Sequence, residues 1–148
     1  MEQASARAPV HLWIVGALAT GWYVYFTVID YVMIHTHNQT YLAAFTEEQR
    51  AYFDAFPAWK EAVWAIGTWG ALLGSLLLLV RSRFAVWAFA LSFAGLAAAT
   101  INHFMSAPSP SPKWLFDGTT IAMNVADWAI AIFLLLYAIR MRAQGVLR

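Results

Sequence analysis

The sequence predicts an all-α protein: a bundle of four transmembrane helices that cross the membrane alternately up and down. Hydrophobic residues make up 61% of its 148 residues and charged residues only 11%, whereas a soluble domain carries roughly a quarter charged residues. Four apolar stretches are each long enough to cross a bilayer as a helix, which takes about 20 residues. Lysine and arginine gather on one side of these stretches. A single transmembrane domain is therefore expected over residues 1–148.

The four apolar stretches set the predicted helix bounds, because every backbone N–H and C=O inside hydrocarbon must be satisfied within its own segment. The helices are expected at about 10–34, 57–80, 84–104 and 119–139. Pro57 is expected as the first residue of the second helix, since proline suits the first helical position. Only three residues, 81–83, separate the second and third helices, so these two are predicted to be antiparallel neighbours.

The basic residues predict the orientation, because positive residues are retained on the cytoplasmic side of a membrane. Six arginines fall on one side of the four helices and three basic residues on the other. The two groups are Arg7, Arg81, Arg83, Arg140, Arg142 and Arg148, against Arg50, Lys60 and Lys113. Both chain ends are therefore predicted to be cytoplasmic.

The first outer loop contains the only sizeable polar segment. Within it, Thr46-Glu47-Glu48-Gln49 matches the capping-box pattern that opens a helix, which predicts a short helix at about 47–55. The aromatic residues of this helix favour a position along the outer membrane surface, over the end of the bundle. The second outer loop, 106–112, is rich in proline and is expected to be an extended linker.

Small residues line one stripe on each of the second and third helices. The stripes consist of Gly67, Gly70 and Gly74 on the second helix and Ala88, Ser92, Gly95 and Ala99 on the third. In lipid, small residues on facing stripes let two backbones approach closely, and dispersion contacts then hold the helices together. We expect the stripes to pack against each other within one chain, in preference to forming a dimer face.

Asp127 is the strongest candidate for a functional residue. It is expected about 12 Å below the start of the fourth helix, at 1.5 Å rise per residue. An ionisable group at that depth costs about 3 kcal/mol unless it is protonated, paired or in contact with water. Asp127 is therefore expected to anchor a binding site. The alternative is that it bonds a neighbouring helix and only fixes the packing of the bundle.

Other polar residues are expected at the same end of the bundle. Asn124 precedes Asp127 on one face of the fourth helix, and each remaining helix carries one candidate. These are Asp30 at the end of the first helix, Glu61 at the start of the second and His103 at the end of the third. Trp64 and Trp128 lie within a turn or two of these residues, where indole rings could contact an ammonium group or a sugar ring. Packing in the core or against lipid is the alternative for both rings.

The same residues raise the question of a metal. Asp30, Glu61, His103 and Asp127 could in principle hold one divalent ion between four helices, because hard and borderline metals accept carboxylate and imidazole ligands. No diagnostic metal-ligand spacing is present, and the sequence identifies neither a metal nor a cofactor. The absence of cysteine excludes disulfides and thiolate chemistry. No nucleophile with an adjacent base, phosphate loop or nucleic-acid signal is found, so a metal-dependent membrane enzyme is the least favoured class.

Several short patches carry a resemblance to a known family. They are Asp30-Tyr31, Tyr41-Leu42, Phe45-Thr46, Glu48-Gln49, Pro57-Ala58-Trp59, the series Gly67, Gly70 and Gly74, and the segment 81–85. In these patches the chain resembles an uncharacterised family of small bacterial inner-membrane proteins with four transmembrane helices, sometimes labelled "sugar transporter". The resemblance implies a bacterial inner-membrane location and a transport label, and it adds no active site.

Two hypotheses for function remain open. In the first, the protein binds or helps to move a small solute or cation at an outward-facing polar cluster, with Asp127 as the principal anchor. A single unit of four helices is small for alternating access, so movement across the membrane would require a homo-oligomer. In the second, the protein is a non-catalytic accessory subunit or assembly factor. Its small-residue stripes and exposed aromatic residues then contact a partner membrane subunit, and its polar cluster only fixes the packing of the bundle.

Overall fold

A computed structural model describes residues 8–105 and 112–148, except for the side chain of Phe104. All regular secondary structure in this part of the chain is helical. Four helical segments are long and apolar enough to cross a membrane: Val10–His35, Ala58–Leu79, Ala85–His103 and Gly118–Ala143. These four spans indicate an integral membrane protein.

The first span is continuous but not uniformly α-helical. It consists of α1 (Val10–Trp22), a π-helical turn (Tyr23–Val28) and α2 (Ile29–His35). At the end of the π-helical turn, the backbone N–H of Ile29 donates to the carbonyl of Val24, five residues earlier. The sequence predicted the span but not this turn. Such turns are rare in proteins, and many of the known examples lie at functional sites.

Two short helices follow the first span. The helix α3 (Gln39–Leu42) was not predicted, and the side chain of Asn38 caps it by accepting from the backbone N–H of Tyr41. The helix α4 (Glu47–Asp54) confirms the predicted capping box. The Thr46 hydroxyl accepts from the Gln49 N–H at 3.2 Å, and the Gln49 side chain accepts from the Thr46 N–H at 2.9 Å.

The remaining long helices are α5 (Ala58–Leu79), α6 (Ala85–Met105) and α7 (Gly118–Ala143). The predicted bounds of α5 and α6 are correct to one residue, whereas α7 continues four residues beyond its predicted end. The position predicted for Pro57 is wrong by one residue. Its backbone is extended (φ −70°, ψ 152°), and its carbonyl accepts from the N–H groups of Lys60 and Glu61, so it precedes α5.

The segment before α7 ends in a 3₁₀ helix (Lys113–Phe116), which the sequence did not predict. The Asp117 side chain then caps α7 by accepting from the Thr120 N–H at 2.7 Å. Of the predicted proline-rich linker at 106–112, all but Pro112 lies outside the described residues.

The small-residue stripes of α5 and α6 face each other, as predicted. A Cβ atom added to Gly95 would lie 2.8 Å from the backbone nitrogen of Gly67, so the two backbones are in direct contact there. The Ser92 hydroxyl donates to the Gly67 carbonyl across the same contact, at 2.7 Å. Farther along, the Phe89 ring lies where a side chain at Gly74 would project. The two stripes are therefore occupied within the chain.

A hydrophobic core joins the four spans at one end of the bundle. It contains residues from the start of α1, the end of α5, the start of α6 and the end of α7, namely Leu12, Leu78, Ala85, Ala138 and Met141, together with Val146 and Leu147. The C-terminal residues join this end to the turn between α5 and α6. The N–H of Arg83 donates to the Arg148 carbonyl, and the N–H of Arg148 donates to the Arg81 carbonyl, both at 2.7 Å. Two cavities lie beyond this core, and the smaller one borders it at Tyr23 and Ala71.

Candidate functional site

A cavity of about 660 Å³ opens at the end of the bundle opposite the hydrophobic core. We call it the outer cavity, because residues of the predicted first outer loop form part of its wall. Pockets for small ligands usually measure roughly 300–1,000 Å³ and combine apolar walls with a few polar groups. The outer cavity fits this description in both size and lining.

Aromatic rings make up much of the wall. They are Tyr41, Phe45, Tyr52, Phe53, Phe56, Trp64 and Trp114. The Tyr52 ring lies edge-on to Phe56 and Trp114, with ring centroids 5.1 and 5.2 Å apart, and the Phe53 ring stacks on Trp64 at 5.9 Å. Contacts of this kind contribute about 0.5–1.5 kcal/mol each beyond the buried area. They hold α4 against the end of the bundle.

Asp30 provides the carboxylate of the outer cavity. The Tyr41 hydroxyl donates to its Oδ1 atom at 2.6 Å. Burial raises the pKa of the Tyr41 phenol, and the hydrogen bond to Asp30 raises it further. Tyr41 therefore stays neutral at physiological pH and keeps the carboxylate oriented in the wall.

Lys60, Tyr52 and His103 form a second polar group in the wall. The Lys60 ammonium donates to the Tyr52 hydroxyl oxygen at 3.3 Å and lies 3.8 Å from the centre of the Phe56 ring. The Tyr52 oxygen lies 2.7 Å from Nδ1 of His103. Since the ammonium has no acceptor capacity, the phenol proton is directed to Nδ1, and a neutral imidazole then carries its proton on Nε2. Burial raises the pKa of Tyr52, which keeps this phenol protonated.

The polar face of α7 leads from the outer cavity into the bundle. Thr120 and Asn124 line the outer cavity, and the next polar residue on that face, Asp127, lines a second cavity. The Asn124 amide donates to the Thr120 carbonyl at 2.9 Å, and the Thr120 hydroxyl donates to the Trp114 carbonyl at 2.9 Å. These bonds orient both side chains at the start of α7.

The second cavity, here called the inner cavity, has a volume of about 120 Å³ and lies between the spans. Its polar lining consists of Tyr23, Thr27, Thr68, Ser92 and Asp127. At about 30 Å³ per molecule in liquid water, it has room for a few water molecules and is smaller than an ordinary ligand pocket. The ring of Trp64 lines both cavities and forms part of the wall between them.

Four of the seven predicted site residues line the outer cavity: Asp30, Trp64, His103 and Asn124. Asp127 lines the inner cavity. Sequence reasoning did not select Lys60, Tyr41 or Tyr52. The capping box had located the helix that carries Tyr52, but no local pattern showed which way its rings point.

Glu61 and Trp128 lie elsewhere. The Glu61 carboxylate lies 3.5 Å from Nε2 of His35, with which it pairs when the imidazole is protonated. The Trp128 indole donates to the Thr100 hydroxyl at 3.2 Å and joins α7 to α6. Within residues 8–105 and 112–148, His, Asp and Glu side chains form no group of three or more that could hold a metal ion. The four-ligand divalent site that the sequence left open is therefore not formed by these residues, because Glu61 faces α2 and Asp127 lies in a separate cavity.

Comparison of the chain with protein-family models, with curated proteins and with solved structures finds no match. The geometry of the two cavities is therefore the basis for assigning a function.

Proposed function

We propose that this chain is a bacterial inner-membrane protein that binds a small polar solute in the outer cavity and helps to move it across the membrane. In this proposal the four spans alternate in direction, both chain ends are cytoplasmic and the outer cavity opens away from the cytoplasm. The distribution of lysine and arginine supports this orientation. The bacterial location and the transport role are predictions from the sequence patches alone, since no family model matches the chain.

The size and lining of the outer cavity carry this proposal. Seven aromatic rings offer flat apolar surfaces, and Asp30, Lys60, His103 and Asn124 offer polar groups from four different spans. A solute with an apolar face and several hydroxyl or charged groups would pack that face against the rings. Its polar groups would form hydrogen bonds with the polar side chains of the wall. The cavity therefore suits a small polar organic molecule better than a purely apolar one.

The two charged side chains in the wall of the outer cavity bear on the charge of the solute. With both side chains ionised, the Asp30 carboxylate and the Lys60 ammonium sum to zero. A neutral or zwitterionic solute leaves this balance unchanged, whereas a simple cation would meet the Lys60 ammonium in the same cavity. We therefore favour a neutral or zwitterionic solute over a cation at this site.

The contacts between α5 and α6 bear on the alternative of an accessory subunit. That hypothesis assigned the small-residue stripes and the exposed aromatic residues to partner helices. Gly67 and Gly95 already contact each other, and Ser92 bonds across the same surface, so these stripes are not free to receive a partner. The stripes therefore give no support to the accessory-subunit hypothesis, and the lining of the outer cavity is our reason for favouring solute binding.

Tryptophan fluorescence of the purified protein in detergent micelles tests the proposal, because Trp64 and Trp114 lie in the cavity wall. The probes are glucose, glycine betaine and choline chloride, which are neutral, zwitterionic and cationic. We expect a saturable response to glucose or glycine betaine. The Asp30→Asn variant should weaken it about 10-fold or more, since a hydrogen bond to a charged group contributes about 1.5–3 kcal/mol.

Glu61→Gln is the matched control, because it also removes one carboxylate near the end of a span but lies outside both cavities. It should bind like the wild type. The proposal would be contradicted if the wild type responded to none of the three probes. It would also be contradicted if Asp30→Asn bound the solute with unchanged affinity.

A further inference from the structure

The Asp127 carboxylate faces the indole N–H of Trp22, a neutral donor that falls outside full hydrogen-bond geometry. Asp30 is close enough to repel it. An ionised carboxylate within a span needs a compensating group, because its burial in hydrocarbon is costly. The Trp22 indole is neutral and supplies no positive charge to balance the carboxylate.

Oxygen atoms from the other spans surround the same cavity. Thr68 on α5 is only 1% exposed, and its hydroxyl has no hydrogen-bond partner. The Ser92 hydroxyl on α6 donates its proton to Gly67, which leaves its oxygen lone pairs available. Tyr23 and Thr27, both on the π-helical turn, add two more hydroxyl oxygens to the lining.

The unpartnered Thr68 hydroxyl is the more informative of these observations. A buried hydroxyl without a partner costs about 1–3 kcal/mol, so native structures usually satisfy such groups with protein, water or an ion. Thr68 and Asp127 lie on different spans and line one cavity. A single small ligand in that cavity could satisfy both.

The chemistry of the lining defines that ligand. Carboxylate and hydroxyl oxygens are hard ligands, and the lining contains neither sulfur nor imidazole. One carboxylate balances one positive charge, and in a low-dielectric interior a neutral sum is favoured over a net charge. The volume of about 120 Å³ admits one ion with one or a few water molecules. A small monovalent cation meets all three conditions.

We propose that the inner cavity binds one Na⁺ ion between Asp127 and Thr68, with Thr27 and Ser92 as further oxygen ligands. The ion neutralises Asp127, reduces its repulsion with Asp30 and gives the Thr68 oxygen a partner. This site is separate from the solute site of the outer cavity and does not depend on it.

Thermal unfolding of the full chain in detergent at fixed pH tests this site, with NaCl compared with choline chloride at equal ionic strength. A ligand that binds only the folded state raises the unfolding temperature in a saturable way. We expect Na⁺ to raise it by a few degrees and choline, which is too large for the cavity, to leave it unchanged. Equal effects of the two salts would overturn the proposal.

Three variants locate the site. Asp127→Asn should abolish the response to Na⁺, and Thr68→Val, which removes only the hydroxyl, should weaken Na⁺ binding at least about 10-fold. Thr36→Val is the matched control, because this hydroxyl bonds its own helix at an exposed position, and it should respond like the wild type. A full response in Thr68→Val would overturn the assignment.

Equilibrium binding of radioactive Na⁺ to the wild type provides a measurement that does not require a stable Asp127 variant. We expect one ion per chain, displaced by unlabelled NaCl and not by choline chloride. The Na⁺ site would be refuted if no saturable binding were found and the stability of the wild type depended on pH alone. That result would show that a proton neutralises Asp127.

Discussion

The contact between α5 and α6 makes a sharp prediction for Gly95. A Cβ atom at this position would lie 2.8 Å from the Gly67 nitrogen and 3.0 Å from both the Gly67 Cα atom and the Val63 carbonyl oxygen. All three are backbone atoms, so no side chain can rotate away. Ordinary van der Waals contact begins near 3.4 Å. Gly95→Ala therefore requires the two helices to separate by about 0.6 Å, the difference between the shortest of these distances and an ordinary contact.

Three contributions determine how much Gly95→Ala changes the free energy of unfolding. Overpacking of a tight contact costs about 1–3 kcal/mol. Separation also lengthens the bond from Ser92 to the Gly67 carbonyl, and a hydrogen bond of this kind contributes about 0.5–1.5 kcal/mol. Alanine in place of glycine within a helix recovers about 1 kcal/mol. We expect Gly95→Ala to lower the free energy of unfolding by about 0.5–3.5 kcal/mol.

Gly21→Ala is the control, because Gly21 is also helical and a Cβ atom there meets nothing within 4 Å. This variant should raise stability by about 0.5–1 kcal/mol, since glycine loses more conformational freedom on folding than alanine does. Denaturation of both variants by SDS, followed by circular dichroism, measures the difference. If Gly95→Ala proved as stable as Gly21→Ala, the close approach of α5 and α6 would be refuted.

Two further predictions concern pH and orientation. Because the folded protein raises the pKa of Tyr41, the unfolded chain loses that proton first as the pH rises above about 10, and stability should fall there. Tyr41→Phe should show a smaller fall in thermal unfolding scans above pH 10, and an identical fall would exclude Tyr41 as its source. The chain lacks cysteine, so single cysteines at Ser82 and Thr40 can report the orientation. In intact cells an impermeant maleimide should label Thr40→Cys and not Ser82→Cys, and the reverse pattern would invert the proposed topology.

The helices were predictable because their signals are local. An apolar run of about 20 residues can satisfy its backbone in hydrocarbon only as a helix, whatever surrounds it. The capping box at Thr46 likewise acts within four residues, and it located α4 correctly. The packing of the glycine stripes was predictable for a related reason. The tight turn after Leu79 places α6 directly beside α5.

The site residues were only partly predictable. Depth in the membrane and polarity selected Asp30, Asn124 and His103, which line the outer cavity. The same criteria selected Glu61, whose carboxylate faces His35 instead. A difference of one residue turns a helical side chain by about 100°, so small errors in helix rotation decide which residues face a cavity.

By itself, the sequence determined that the chain is helical, that four segments are apolar enough to span a membrane and that α5 packs on α6, because these properties depend on composition and short spacings. Only the tertiary structure decided that the polar residues divide between two cavities, with Trp64 in the wall of both and Lys60 bonded to Tyr52. That division depends on how each helix is rotated about its axis and on a π-helical turn that the sequence does not reveal. The helix rotations and the π-helical turn both depend on packing between segments that are distant in the chain. No local sequence pattern predicts the result of that packing.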